Sequence, residues 1–514
     1  MGLRTVRARC GVLAAAAALL VAAGCGTPSA GGGGDEAPAR GGTLAVAVSD
    51  VPDSWNPQEA QLVSSYQVFA QVFAALLRTS PDGKQLLPGL ASSYQYDPAK
   101  KTLTFTLDPA AKFSTGAPVT SADVKFSFGL WRAGELYGSY FESVHDVLTP
   151  DPHTAVFELS APDKALIGIL ATSNAAIFPV DYGGKTAEEF WKQPVGAGPF
   201  AIESQVPSQS INLTRNEHYY RPGLPRLDKL DYKFVTDSNQ QLLQFQSGQL
   251  DLVNNVEAEL AGQYQQGQTH STPSSGVSVL VTQASAAPLD NPKLRKALTL
   301  AIDHRALVEG GYVGHARQAT SLLPQVVPGV ASCAGCDWGQ TDLAKAKQLV
   351  AESGYTGAPL HLIVSSDAGG PEKLAAQAIV PMAKAAGINV EVTPVPSSTL
   401  LDKLGKGDFQ LGMFTYSALA PSPLDPLGYI ASSGFLYSKA DQAPIDKVLA
   451  TVHAAADDPA VTDAVKQFEQ YAYDSTAVIP LAVPDMTYAV SDKVHGFVPS
   501  PYEVFTADEL WVNR

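Results

Sequence analysis

Four cysteines and nine histidines are the side chains from which a metal or nucleophilic site would be built, and their spacing points away from both. Cys333-Ala334-Gly335-Cys336 offers two thiols with no nearby histidine to complete four zinc ligands. A thioredoxin-like pair should open a helix after a strand, whereas this pair follows Pro324 and Pro328 in a loop. It reads as a local disulfide, worth less than the roughly 3 kcal/mol of a 15-residue loop. No His-Glu-x-x-His or Gly-x-Ser-x-Gly occurs, and Asp-x-Asp-x-Asp-Gly calcium spacing is absent. Gly183-Gly184-Lys185-Thr186 ends like a phosphate loop, but Pro179 stands where the first glycine is needed, so it reads as a turn. Glu188-Glu189 and Asp457-Asp458 look like solvated helix faces. The chain therefore nominates no cofactor, no metal and no catalytic residue. A secreted hydrolase stays as an alternative, because acids distant in sequence can meet in a cleft.

The elements that would position a ligand are clearer. Thr43–Val48 is an apolar run ending in Ser49-Asp50, a buried parallel strand. From 81 to 194, alternating Leu103, Phe105, Leu107 and the run Ala155–Leu159 after Pro150-Asp151-Pro152 indicate antiparallel strands, read as an inserted subdomain. After Pro288, Leu294, Ala297, Leu298, Ala301 and Ile302 form one helical stripe ended by Gly310-Gly311. Strands through Leu360–Val364, Ile388–Val392 and Phe409–Tyr416 alternate with helices at 371–386 and 398–404, which means a parallel sheet. Ligands bind beyond the carboxyl ends of such strands. Those ends nominate Ser49 and Trp55 on one lobe, and Tyr416, Ser417, Leu419 and Asp425 on the other. Core packing is the alternative for Trp55 and Tyr416, and a turn for Asp425 before Pro426.

The N-terminus addresses the chain outside the cytoplasm. Arg4, Arg7 and Arg9 precede an apolar run from Gly11 to Ala23, the pattern of a signal peptide over 1–24. Ala22-Ala23-Gly24-Cys25 resembles a bacterial lipobox, which implies a lipid on Cys25, and Gly31–Gly34 lies in a flexible tether over 25–42. Cleavage before Cys25 leaves 490 of the 514 residues, enough for two or three domains. Loss of the three arginines takes the balance of 35 basic and 50 acidic side chains from −15 to −18. Such a surface argues against nucleic acid, and no later apolar run is long enough to span a membrane.

From Gly41 onward the chain resembles the extracytoplasmic solute-binding proteins of the peptide/nickel class, family 5, which feed ABC importers. The resemblance rests on Gly41-Gly42-Thr43-Leu44 with Asn56-Pro57, and on Leu87-Pro88-Gly89-Leu90-Ala91. The block Lys112–Val124, Val195-Gly196-Ala197-Gly198-Pro199-Phe200, Arg215–Tyr220, Gly248–Asp251 and Leu294–Ala297 follow in order, and Val494-His495-Gly496-Phe497 closes the set. It implies an α/β periplasmic-binding-protein-like fold (class II, cluster C) with two lobes, an inserted mixed subdomain and two hinge crossings, near 283–289 and 483–488. The implied partition is 43–80, 195–285 and 487–514 for the first lobe, 81–194 for the subdomain and 286–486 for the second lobe.

Peptide-binding members place a Trp at the end of the strand read at 409–416 and, three residues later, an Asp that pairs with the ligand's amino group. Tyr416 and Leu419 stand there instead, with the Asp delayed to Asp425. Either Asp425 replaces that anchor, or the ligand has no free amino terminus there. Nickel spacing is not seen. The resemblance implies a monomeric, lipid-anchored receptor on the outer face of the cytoplasmic membrane, capturing an oligopeptide for ABC permease subunits. A sugar or opine is the alternative cargo.

Overall fold

The computed structural model describes residues 38–265, 267–366, 370–431 and 443–513. The segment read as a signal peptide, Cys25 and the Gly31–Gly34 stretch lie outside them. Gly41 and Gly42, read as the end of the tether, already belong to folded structure. Gly41 N–H donates to the Arg226 carbonyl (2.7 Å) and Gly42 N–H to Asp228 (3.0 Å). Gly42 has φ +89°, and a Cβ there would sit 2.5 Å from the Val512 side chain, so both backbone and space require glycine.

Two α/β lobes share one long strand. In the first, Thr43–Val48 lies between Lys229–Phe234 and Leu252–Val253, parallel to both, which accounts for its buried apolar run. In the second, Leu360–Ser365 runs parallel to both Val390–Val395 and Leu411–Ser417, the arrangement the alternating strands and helices predicted. Gly276–Thr282 then adds to Leu411–Ser417 in antiparallel register, so this sheet is mixed. The strand Val478–Val490 pairs with Gly276–Thr282 through its first half and with Thr269–Pro273 through its second. It therefore passes from one lobe to the other within a single element. The outward passage falls at Ser274–Ser275, because Gly276–Thr282 already belongs to the second lobe's sheet. The expected crossing at 283–289 is too late: an unbroken buried run fits either sheet equally well.

Residues 91–97, 102–107, 154–159 and 144–151 make a four-stranded antiparallel sheet in that order. The family-like block Lys112–Val124 starts the helix Ser121–Ala133 beside it. Asp123 accepts from the Thr120 N–H (2.7 Å) and from the Val180 N–H (2.8 Å), so one carboxylate caps the helix and ties down a distant loop. The apolar core of this subdomain is continuous with that of the second lobe.

Three local expectations change. The stripe through Ile302 is two helices, Pro292–Ala301 and His304–Gly311, because Asp303 caps the second one by accepting from Ala306 N–H (3.0 Å). Asp425 lies in the first turn of a helix, Leu424–Ala431, rather than in a loop. Glu189 and Asp457 act as capping groups, Glu189 in a capping box with Thr186 and Asp457 by accepting from Ala460 N–H (2.9 Å).

Candidate functional site

The carboxyl end of the strand Leu411–Ser417 delivers three nominated residues to different surroundings. Tyr416 is 3% exposed and its hydroxyl donates to the Leu322 carbonyl. Ser417 reaches across the lobes and donates to Glu503 Oε1 (2.7 Å). Leu419 faces a cavity between the lobes. The Leu322 loop is itself held by Glu469, which accepts the N–H groups of Leu322 (2.9 Å) and Leu323 (2.8 Å). The strand end is thus braced by a buried acid two contacts away.

Asp425 is buried and accepts from three donors. The N–H groups of Leu419 and Ala420 (3.0 Å) meet Oδ2, and the Tyr140 hydroxyl meets Oδ1 (2.9 Å). Tyr140 belongs to the subdomain, so this contact joins it to the second lobe. Ser422 Oγ to the Ala165 carbonyl (2.8 Å) and His453 Nδ1 to Asp163 (2.9 Å) join the same two bodies. Burial raises the Asp425 carboxyl to about 6, against the pull of its donors.

The cavity has a volume of about 130 Å³, room for a small molecule rather than isolated waters. Tyr66, Phe73 and Tyr502 form one wall, the hairpin strand Leu77–Thr79 a second, and Leu419 with Pro421 of the second lobe a third. Ser49 and Trp55 are not among its lining residues. Ser49 is exposed at its strand end. The Trp55 indole N–H donates to Gln205 (3.0 Å) and its ring packs 6.2 Å from Phe69, so both its polar and apolar surfaces are used within the first lobe.

Residue 503 was not nominated from sequence. Glu503 has φ +60°, a region costly for a side chain with a Cβ. Its carboxyl is pushed up by burial while accepting from Ser417. Tyr140 also escaped notice, since nothing local marks it as the partner of a carboxylate 285 residues away. Cys333 and Cys336 are bonded through their sulfurs, with Cα atoms 5.4 Å apart. Among the described residues no group of three His, Cys, Asp or Glu could hold a metal, and no helix is long and apolar enough to cross a membrane.

The match to the model of bacterial extracellular solute-binding proteins, family 5, covers residues 85–437. The chain belongs to this family. It is 27% identical over 427 residues to the probable D,D-dipeptide-binding periplasmic protein of Escherichia coli strain K12, covering 80% of this chain and 82% of that one. The glutathione-binding protein of Salmonella typhi is 26% identical over 488 residues, covering 91% and 94%. Among solved structures, the murein tripeptide binding protein of Escherichia coli superposes with a TM-score of 0.80 at 19% identity, covering 93% and 99%. The agropinic acid complex of a binding protein from A. tumefaciens R10 gives 0.78 at 24%, covering 92% and 99%. The two-lobed fold is therefore that of a family 5 solute-binding protein.

In this solute-binding protein two buried acids contribute to the pH dependence of stability. Burial raises Glu469 to about 7 and Asp425 to about 6, against about 4 when unfolded. The folded chain thus holds protons that the unfolded chain has released. Their stabilisation is fully present below about pH 4 and is lost as pH rises through 6 to 7. Asp97, Asp146 and Asp151 act oppositely: hydrogen bonds lower them, and their contribution is lost only in stronger acid. From Glu469 and Asp425 the melting temperature should therefore fall between about pH 4 and pH 7 and level off above that, with Glu469→Gln flattening the fall. Melts of both proteins across this range check it; a wild-type curve that climbs from pH 5 to pH 8 contradicts it.

Proposed function

We propose that the chain is a lipid-anchored extracytoplasmic receptor that captures a small peptide-like solute between its lobes and delivers it to an ABC import permease. The observation that carries this reading is the cavity walled by Leu419 and Pro421 from one lobe and by Tyr66 and Tyr502 from the other. A solute seated there touches both lobes, and such shared contacts favour the closed arrangement only through their differential affinity for it. The Ser417–Glu503 bond lies between the same two bodies. The dipeptide- and glutathione-binding relatives support a peptide-like cargo. An opine-like acid is the second reading, favoured by the three protein donors that already occupy Asp425.

The chain performs no chemical step in this reading. Asp508, the one carboxylate among the described residues of the cavity wall, is paired with Arg221, so those residues offer no pair of free acids for a hydrolase. Native mass spectrometry of the mature protein tests the cargo: a bound peptide is expected, and a bound saccharide excludes the peptide reading. Replacing Cys25 by Ala should move the protein from the membrane fraction to the soluble fraction. Retention on the membrane would remove the lipid anchor from the proposal.

A further inference from the structure

The cavity carries a charge that the protein itself leaves unmatched. Among the described residues that line it, Arg78 and Asp508 are the only acidic or basic side chains. Asp508 is 3% exposed and is saturated by the Arg221 guanidinium and by the Tyr219 hydroxyl (3.1 Å). Arg221 is also held by Glu509. Arg78 is different. Its Nε–H donates to the Pro88 carbonyl across the hairpin (3.1 Å), and that bond fixes the direction of the side chain. Its two terminal nitrogens have no hydrogen-bond or ion-pair partner among the described residues.

A guanidinium fixed at Nε presents its remaining donors as a planar fork, the geometry that receives two oxygens of one acid group. We infer that Arg78 receives a carboxylate of the captured solute. This rests on the receptor reading above and narrows its substrate class. A single cation balances a carboxylate, whereas a phosphate dianion would keep an uncompensated charge beside Phe73, Leu419 and Pro421, which are apolar. The solute is therefore an acid with an apolar body, held by its carboxyl end on the first-lobe side and covered by the second lobe. The anchor belongs to the first lobe, so it holds the solute before closure brings Leu419 over it.

The test uses the full mature protein with four probe sets. These are tripeptides with free carboxyl ends, the same tripeptides as terminal amides, a set of N-acyl amino acids and iminodiacids, and neutral saccharides. Binding is read by native mass spectrometry and calorimetry for wild type, Arg78→Gln and Arg78→Lys. Wild type should prefer acids over the matching amides by at least about tenfold, the scale of a lost charge-assisted pair. Arg78→Gln should abolish that preference. Arg78→Lys should recover part of it, and this recovery separates a charge effect from a folding defect. Equal binding of acids and amides by wild type, or an intact preference in Arg78→Gln, overturns the inference and leaves the peptide reading standing. Acids bound only as non-peptides support it while removing the peptide reading. Retention of saccharides alone, or of nothing, overturns both.

Discussion

Replacing Asp425 by Ala should lower the unfolding free energy by about 3–5 kcal/mol, the sum expected when several hydrogen-bond donors lose one shared acceptor. The substitution strips the acceptor from three donors at once: the buried Ala420 N–H and Tyr140 hydroxyl and the half-buried Leu419 N–H. Each orphaned buried donor costs about 1–3 kcal/mol, and Tyr140 and Ala420 cannot turn to solvent, since both are buried. Asp425→Asn should cost less, because its carbonyl oxygen still accepts. Urea titrations of the three proteins decide the matter, and a loss under about 1 kcal/mol for the Ala variant would show that the loop does not depend on this carboxylate. A second readout separates clamp from anchor. If Asp425 serves the loop alone, Asp425→Asn leaves the ratio of affinities for free and N-acetylated tripeptides as in wild type. A collapse of that ratio would restore Asp425 as the amino-group anchor.

Gly196→Ala should cost about 3 kcal/mol, the upper part of the usual range for forced overpacking. A Cβ on Gly196 would lie 2.0 Å from the Val72 carbonyl oxygen and 2.8 Å from the Phe73 ring. The obstacle is backbone at the end of the helix Val63–Val72, so rotating a side chain gives no relief. A Cβ on Gly198 would likewise lie 2.5 Å from the Gln71 carbonyl oxygen and 2.7 Å from that of Val72, to which the Gly198 N–H donates (3.0 Å). The Val195–Phe200 turn therefore lies flat on the end of this helix, and both glycines are there for the lack of a side chain. A melting curve within a degree of wild type for Gly196→Ala would refute this.

These two sites also show where sequence reading succeeds and where it stops. The strands Thr43–Val48 and Thr102–Leu107 occupy the residues their apolar patterns indicated, because burial on one or both faces leaves a periodic trace. The turn at Gly196–Gly198 was visible as a motif, but its reason, contact with a helix end far back in the chain, was not. The strand read at 409–416 spans Leu411–Ser417, so Tyr416 is within it and Leu419 two residues past its end; Tyr416 enters the core and Leu419 the cavity. Asp425 with Tyr140 and Ser417 with Glu503 are different in kind. Each pair joins separate bodies across long sequence separations, and neither partner sits in a local pattern that names the other. Arg78 was equally silent, since only the occupied state of its neighbours makes it distinctive.

The strand Val478–Val490 gains a mechanical meaning from its pairing. Its first residues are bonded to Gly276–Thr282 and its later ones to Thr269–Pro273, so each end is clamped in a separate sheet. Any rotation of one lobe against the other must be absorbed as torsion over the few residues around Val483 and Pro484, where the short strand Ala316–Gln318 lies alongside. Pro484 has no N–H to donate, so that stretch twists with one ladder bond fewer at stake. The protein thus carries its pivot as a torsion bar, with a travel set by how far a single extended segment can be wound before its ladders part.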